Sequence, residues 1–173
     1  MPKLTRDILS ILPHLQRYAL VLSGDDGQAE DLLQETFLRA QEGRATFDRR
    51  RPVKLWMMSI LHNAFVDAHR SKVSREKREA SYAALQNTFI DAPQEAAVHL
   101  AQVKAAFFDL PPDQREALHL IAVEGMSYAE AAALLRIPQG TLMTRVSRAR
   151  AALRAFQRGK QPVLRIIGGE HVD

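Results

Sequence analysis

The sequence predicts an all-α protein of two small helical domains joined by a flexible linker. Three observations predict it. Apolar residues recur at three- and four-residue spacing along most of the 173 residues. Aromatics make up only 6% of a chain that is 46% hydrophobic, which suits bundles of Leu and Ala better than a sheet sandwich. Between these periodic blocks, "SKVSREKREASYAALQNTFIDAP" mixes charge with small polar residues and keeps no stripe. The expected organisation is an N-terminal domain over 1–71, a linker over 72–93, a C-terminal domain over 94–160 and a tail over 161–173.

The first block needs three helices to bury its stripes, and it has three. Residues 5–22 place Ile8, Leu12, Leu15, Ala19 and Leu22 on one face. "SGDDGQ" ends that helix with turn and capping residues. In "AEDLLQETFLRAQE", Ala29, Leu32, Leu33, Phe37 and Ala40 form an apolar face opposite Asp31, Gln34, Glu35 and Arg39. After a basic turn at Arg49-Arg50-Arg51-Pro52, "VKLWMMSILHNAFVDAHR" repeats Trp56, Ile60, Leu61, Ala64, Phe65 and Ala68 at helical spacing. Trp56 lies on this stripe and is assigned to the core. The second block starts near Gln94 with a helix to about Asp109, broken by "LPPD". The next helix runs from Pro112 to Glu124, with proline near its first position and Gly125 as its C-terminal cap.

Composition narrows the function. No cysteine is present, which excludes disulfides and thiolate metal sites. His62 and His69 are not close enough to other ligand types to argue for metal, and no Gly-rich phosphate loop or nucleophile with a plausible base occurs. The expectation is a non-enzyme without metal, cofactor or small-molecule ligand. "MPKLTRDILS" lacks a secretion signal's apolar core, and no stretch is apolar enough to span a bilayer, so a cytoplasmic protein without membrane partners is expected. The net charge of +4 is unevenly spread. From Ala131 to Gly169 there is no Asp or Glu but many arginines, whereas Asp25 to Glu42 holds Asp25, Asp26, Glu30, Asp31, Glu35 and Glu42 against Arg39 alone. One basic end and one acidic patch point to two different partners.

The basic end has an internal order. Ser127-Tyr128-Ala129-Glu130 is a capping box that starts a helix ending near Leu135. Ile137-Pro138 is expected to stop it. A second helix then begins near Gly140 or Thr141, with Leu142, Val146, Ala149 and Leu153 spaced for the core and Thr141, Thr144, Arg145 and Arg148 sharing the exposed face. Two helices at a tight turn, the second presenting hydroxyls and guanidiniums, form a helix-turn-helix suited to a major groove. Arginine there can bind guanine edges bidentately, and further arginines can hold phosphates. A merely solvated arginine face is the plainer alternative.

"FFDLPPDQREALHLIAVEGMSYAEAAALLRIPQGTLMTRVSRARAAL" resembles the C-terminal domain of extracytoplasmic-function sigma factors. "AEDLLQETFLRA" resembles that family's polymerase-docking helix, and "LWMMSILHNAFVDAHR" its promoter-melting helix. The "ILHN" and "FFDLPPDQREAL" wording is most similar to the general-stress-response branch. The chain departs from the family at Met143, where a basic residue is common, and at His62, where arginine often precedes the Asn.

The resemblance implies a division of labour. Asp31, Gln34, Glu35 and Arg39 would dock on the coiled-coil clamp of core RNA polymerase. Asn63 would contact a base of the minus-ten element, with His62 beside it and Lys54, Arg70 and Lys72 on strand phosphates. Gln139, Thr141, Thr144, Arg145 and Arg148 would read the minus-thirty-five element, with Arg136 and Arg150 on phosphates of the promoter DNA. Linker residues Arg75, Lys77 and Arg78 would thread near the RNA exit path. A small helical anti-sigma factor would hold the protein, monomeric when free, in reserve. Two other readings remain open at this stage: a sigma-like decoy that sequesters the anti-sigma factor, and a conventional dimeric helix-turn-helix regulator.

Overall fold

In a computed structural model the backbone is described for residues 2–48, 50–76 and 95–159, and side chains for 6–45, 47–48, 50–70 and 100–158. Linker residues Lys77 and Arg78, the turn residue Arg49 and the 161–173 tail lie outside the described residues, as do the side chains of Lys72 and Arg75. Every regular element among the described residues is helical: α1 (Pro2–Ser23), α2 (Asp26–Glu42), a 3-10 turn (Gly43–Thr46), α3 (Val53–Glu76), α4 (Glu95–Phe108), α5 (Pro112–Ala122), α6 (Tyr128–Leu135) and α7 (Gln139–Gly159).

Local chemistry sets the first two boundaries. Gly24, at φ +73°, takes the left-handed turn after α1 and donates its N–H to the Leu20 carbonyl at 2.8 Å. The Asp25 carboxylate then accepts from the Gln28 N–H at 2.9 Å and starts α2. Helices α1, α2 and α3 pack mutually as a three-helix unit. Its centre is Leu15, Tyr18 and Ala19 of α1, Ala29 and Leu32 of α2, and Met57, Met58, Leu61 and Ala64 of α3. Thr36 is buried as well, its hydroxyl satisfied by the Leu32 carbonyl at 2.7 Å. Truncating a buried leucine such as Leu15 to alanine costs about 2–5 kcal/mol.

The α3 stripe differs from the expected one. Met57 and Met58 are fully buried, Trp56, Ile60 and Phe65 are only partly so, and Ala68 is exposed. Residues 67–70 are all exposed and the helix continues to Glu76, so α3 outruns the bundle. The backbone expected to begin a linker at residue 72 is therefore still helical for five residues. Trp56 tilts against Phe47 with ring centroids 4.5 Å apart, as a core-edge aromatic does.

In the C-terminal half α5 packs along α7, and α6 bridges them. Pro112 opens α5 at its first position, and Gly125, at φ +69°, closes the segment after it while Met126 N–H reaches the Leu120 carbonyl at 3.0 Å. The two halves touch, through α1 on α5 and α3 on α6. Their buried apolar side chains form one continuous cluster, with Ala117, Leu118 and Leu120 of α5 joined to Leu15 and Met57. Among the described residues no helix is long and apolar enough to cross a membrane.

Candidate nucleic-acid and polymerase interfaces

The helix-turn-helix forms as its local chemistry requires. Ser127 Oγ accepts from the Glu130 N–H at 3.2 Å, and the Glu130 carboxylate accepts from the Ser127 N–H at 2.9 Å and its hydroxyl at 2.7 Å. These bonds hold the Glu130 carboxyl below the usual carboxylate range. The turn itself is made differently from the expectation. Arg136, not Pro138, ends α6: it sits in the left-handed region at φ 54° with its N–H on the Ala132 and Ala133 carbonyls. A non-glycine residue there carries roughly 1 kcal/mol of strain. Pro138 immediately precedes α7, and its carbonyl accepts from the Leu142 N–H at 3.2 Å.

Leu142, Val146 and Ala149 face inward from α7. Gln139, Thr141, Thr144, Arg148 and Arg150 are exposed, as is Arg136 in the turn. Thr144 spends its hydroxyl proton on the Gly140 carbonyl at 3.0 Å, leaving the oxygen's acceptor capacity outward. Arg145 stands apart. It lies half-buried on the flank facing α5, its Nε 3.2 Å from an Asp113 carboxylate oxygen. Met143 is 53% exposed, an apolar side chain standing in a basic helix face.

On α2, Asp31, Gln34 and Glu35 are exposed. Arg39 bridges two carboxylates, with Nε 2.7 Å from Glu35 and a terminal nitrogen 2.6 Å from Asp67 of α3. Its hydrogen bond to Asp67, then that to Glu35, raises its pKa further. Sequence reasoning missed Leu38, which is 58% exposed. Helical spacing places it seven residues from Asp31, amid Gln34, Glu35 and Glu42, as an apolar knob in an acidic face. That spacing was the available signal.

The α3 residues expected to meet DNA are partly engaged elsewhere. Arg70 is exposed and Asn63 half-buried. Lys54 Nζ lies 2.7 Å from a carboxylate oxygen of Glu124 and 3.1 Å from its carbonyl, while His62 Nδ1 lies 2.8 Å from Glu116. Both glutamates belong to the other half of the protein and were not singled out from the sequence. Glu116 also accepts from the Tyr18 hydroxyl at 2.5 Å. The Glu124 side chain is fully buried, ringed by His14 Nδ1 at 2.7 Å, Arg17 at 3.8 Å and Lys54. Burial acts to raise its pKa, but hydrogen bonds from Lys54 and His14 outweigh that and hold it charged. His119, 3.2 Å from the same carboxylate, is pushed down to about 4, chiefly by burial. Arg115 completes the seam: its buried guanidinium donates to the Val21 carbonyl of α1 and the Phe108 carbonyl, both at 2.8 Å.

Comparison with known proteins agrees with this architecture. Residues 8–75 match the family model for sigma-70 region 2, and residues 101–153 match that for sigma-70 region 4. The chain is 39% identical over 152 residues to the ECF RNA polymerase sigma factor EcfG of Rhodopseudomonas palustris, covering 87% of this chain and 82% of that one. It is 40% identical over 141 residues to the ECF RNA polymerase sigma factor SigC of Mycobacterium tuberculosis, covering 80% and 75%. Among solved structures it resembles the sigma factor RpoE of Bartonella quintana in complex with the anti-sigma factor NepR, at a TM-score of 0.80 and 31% identity, over 93% of this chain and all of that one. A region 2 unit and a region 4 unit in this order, with relatives spanning both, establish that the chain belongs to the ECF family of RNA polymerase sigma factors.

Proposed function

We propose that this protein is an alternative sigma factor of the general-stress-response type, working in the cytoplasm on core RNA polymerase. The 1–71 domain docks on the polymerase clamp through Asp31, Gln34, Glu35 and Arg39, and places Asn63 against an extruded base of the minus-ten element. Taking a base out of the stack costs a few kcal/mol, which docking energy and a fitted pocket would offset. The 94–160 domain reads the minus-thirty-five element through Gln139, Thr141, Thr144 and Arg148, with Arg136 and Arg150 on phosphates. Arg145 joins that surface on release from Asp113. The chemistry of RNA synthesis belongs to the polymerase.

The observation that carries this reading is the pairing of an acidic exposed face on α2 with a basic exposed face on α7, on one chain, in the region 2 and region 4 order. A small helical anti-sigma factor as the restraining partner is supported by the likeness to RpoE captured with NepR.

Two variants separate the surfaces. Glu35→Lys should weaken capture of core polymerase. Arg145→Ala with Arg148→Ala should retain capture and lose promoter selection. Normal capture by the first, or unchanged promoter choice by the second, contradicts the assignment of that surface.

A further inference from the structure

The exposed face of α7 carries one side chain whose chemistry matches nothing around it. Met143 is 53% exposed and is the fifth residue of the helix, one turn in from its start at Gln139. Its exposed companions there are polar: Gln139, Thr141, Thr144, Ser147 and Arg148. The buried stripe of Leu142, Val146 and Ala149 points elsewhere, so Met143 is not a core residue.

Two neighbours leave its approach open. Gly140 lies one turn toward the N-terminus, the direction in which helical side chains lean. A Cβ at Gly140 would meet nothing within 4 Å beyond its own helix backbone, so a groove edge can come close there. Thr144 has committed its hydroxyl proton to the Gly140 carbonyl at 3.0 Å and can only accept from outside. Arg145, the nearest cation along the chain, is turned to the α5 flank, 3.2 Å from Asp113. The start of α7 therefore sets an apolar thioether next to a hydrogen-bond acceptor, with positive charge set back from both.

We infer that Met143 is a specificity-determining residue of this helix, packing its thioether end on the 5-methyl group of a thymine in the upstream promoter element. This rests on the proposed function, which sets α7 in the major groove. Of the groups that base edges present there, the thymine methyl is the apolar one. A flexible, polarizable side chain suits it, since Met adapts to irregular apolar surfaces. The adenine paired with that thymine presents an N6 donor, the complement of the Thr144 acceptor. A basic residue at this point would bind phosphate and tighten binding to every sequence. Methionine gives up that general affinity and contributes only where a methyl group is present. An apolar patch on a protein partner offers the same contact. DNA is favoured because no Asp or Glu occurs from Ala131 to Gly169, and because the first residues of such a helix are those that reach base edges.

The test uses the full chain bound to core polymerase from the same host, on promoter fragments from which that complex starts transcription. Each thymine of the upstream element, on both strands, is replaced in turn by uracil, which lacks only the 5-methyl group. At one position uracil should weaken wild-type binding about fourfold, the worth of one buried methyl group. Met143→Ala should bind the thymine fragment about as weakly as the wild type binds the uracil one, and should no longer distinguish them. Met143→Leu should keep the distinction. Met143→Lys should lose it while binding all fragments more tightly at low salt, with the slope of log affinity against log salt steeper by about one. All three replacements are good helix formers at an exposed position, so they leave the fold intact. A uracil-sensitive position that persists in Met143→Ala overturns the inference, as does the absence of any such position in the wild type. Weakened capture of core polymerase by Met143→Ala, with promoter discrimination unchanged, places Met143 against a protein and overturns it too. Failure of the wild-type complex to start transcription at all refutes the proposed function itself, and the inference falls with it.

Discussion

Acidification should loosen the domain seam through His119, and the size of the effect can be worked from its surroundings. The imidazole is 2% exposed, stacked on Tyr18 with ring centroids 5.7 Å apart, and faces Glu124, with Glu116 and Arg17 also acting on it. Its pKa falls from 6.5 to about 4, first through burial, with Arg17 adding to the fall and the glutamates opposing it. The unfolded chain therefore binds a proton in the interval from about 6.5 down to about 4, where the folded chain does not. Stability falls as pH drops through that window. Integrated from neutrality to about pH 5, the loss is about 2 kcal/mol, at 1.36 kcal/mol per pKa unit. Glu124 adds little in the same interval. Its folded pKa lies below the ordinary 4.5, so its contribution is lost only at lower pH. The assay is urea unfolding at neutral pH and near pH 5, for the wild type and for His119→Gln. The variant should lose about 2 kcal/mol less than the wild type on acidification. Equal losses in the two proteins would refute the assignment to His119.

Other perturbations test other parts of the structure. Arg115→Met should destabilise the protein by about 2–4 kcal/mol, since it leaves the Val21 and Phe108 carbonyls without their charged donor, and urea midpoints measure it. Leu38→Ala should weaken core polymerase capture several-fold while changing stability by less than about 0.5 kcal/mol, because its side chain is mostly exposed. Arg150→Ala should lower the slope of log affinity against log salt by about one for a minus-thirty-five duplex, as expected for a lost phosphate contact; a loss confined to one base position would mark it as a base reader instead.

The parts legible in the sequence are those set by neighbours along the chain. The Ser127–Glu130 capping box, the Gly24 and Gly125 turns and the Leu142–Val146–Ala149 stripe each depend on residues within a turn or two, so spacing alone exposes them. The left-handed Arg136 escaped notice because Pro138 offered an easier reason for the same break. The seam was illegible for a different reason. Lys54 and Glu124 are 70 residues apart and Tyr18 and Glu116 are 98 apart, so no periodicity connects them. Glu116 and Glu124 read as ordinary helix-surface acids until α5 is laid against α1. Arg145 follows the same logic. Its position on α7 was predictable, but its partner Asp113 sits on α5, and only packing brings the two within 3.2 Å.

These long-range pairs give the site its character. Residues expected to serve promoter DNA, Lys54 and His62, are held by carboxylates of the domain expected to read a different promoter element.

The most direct measurement is transcription in vitro, with purified full chain, core polymerase from the same host and a pool of that host's upstream DNA fragments. The account predicts discrete transcripts that require this chain and share a pair of upstream elements. Absence of such transcripts, with the chain bound to DNA but not to core polymerase, would contradict it.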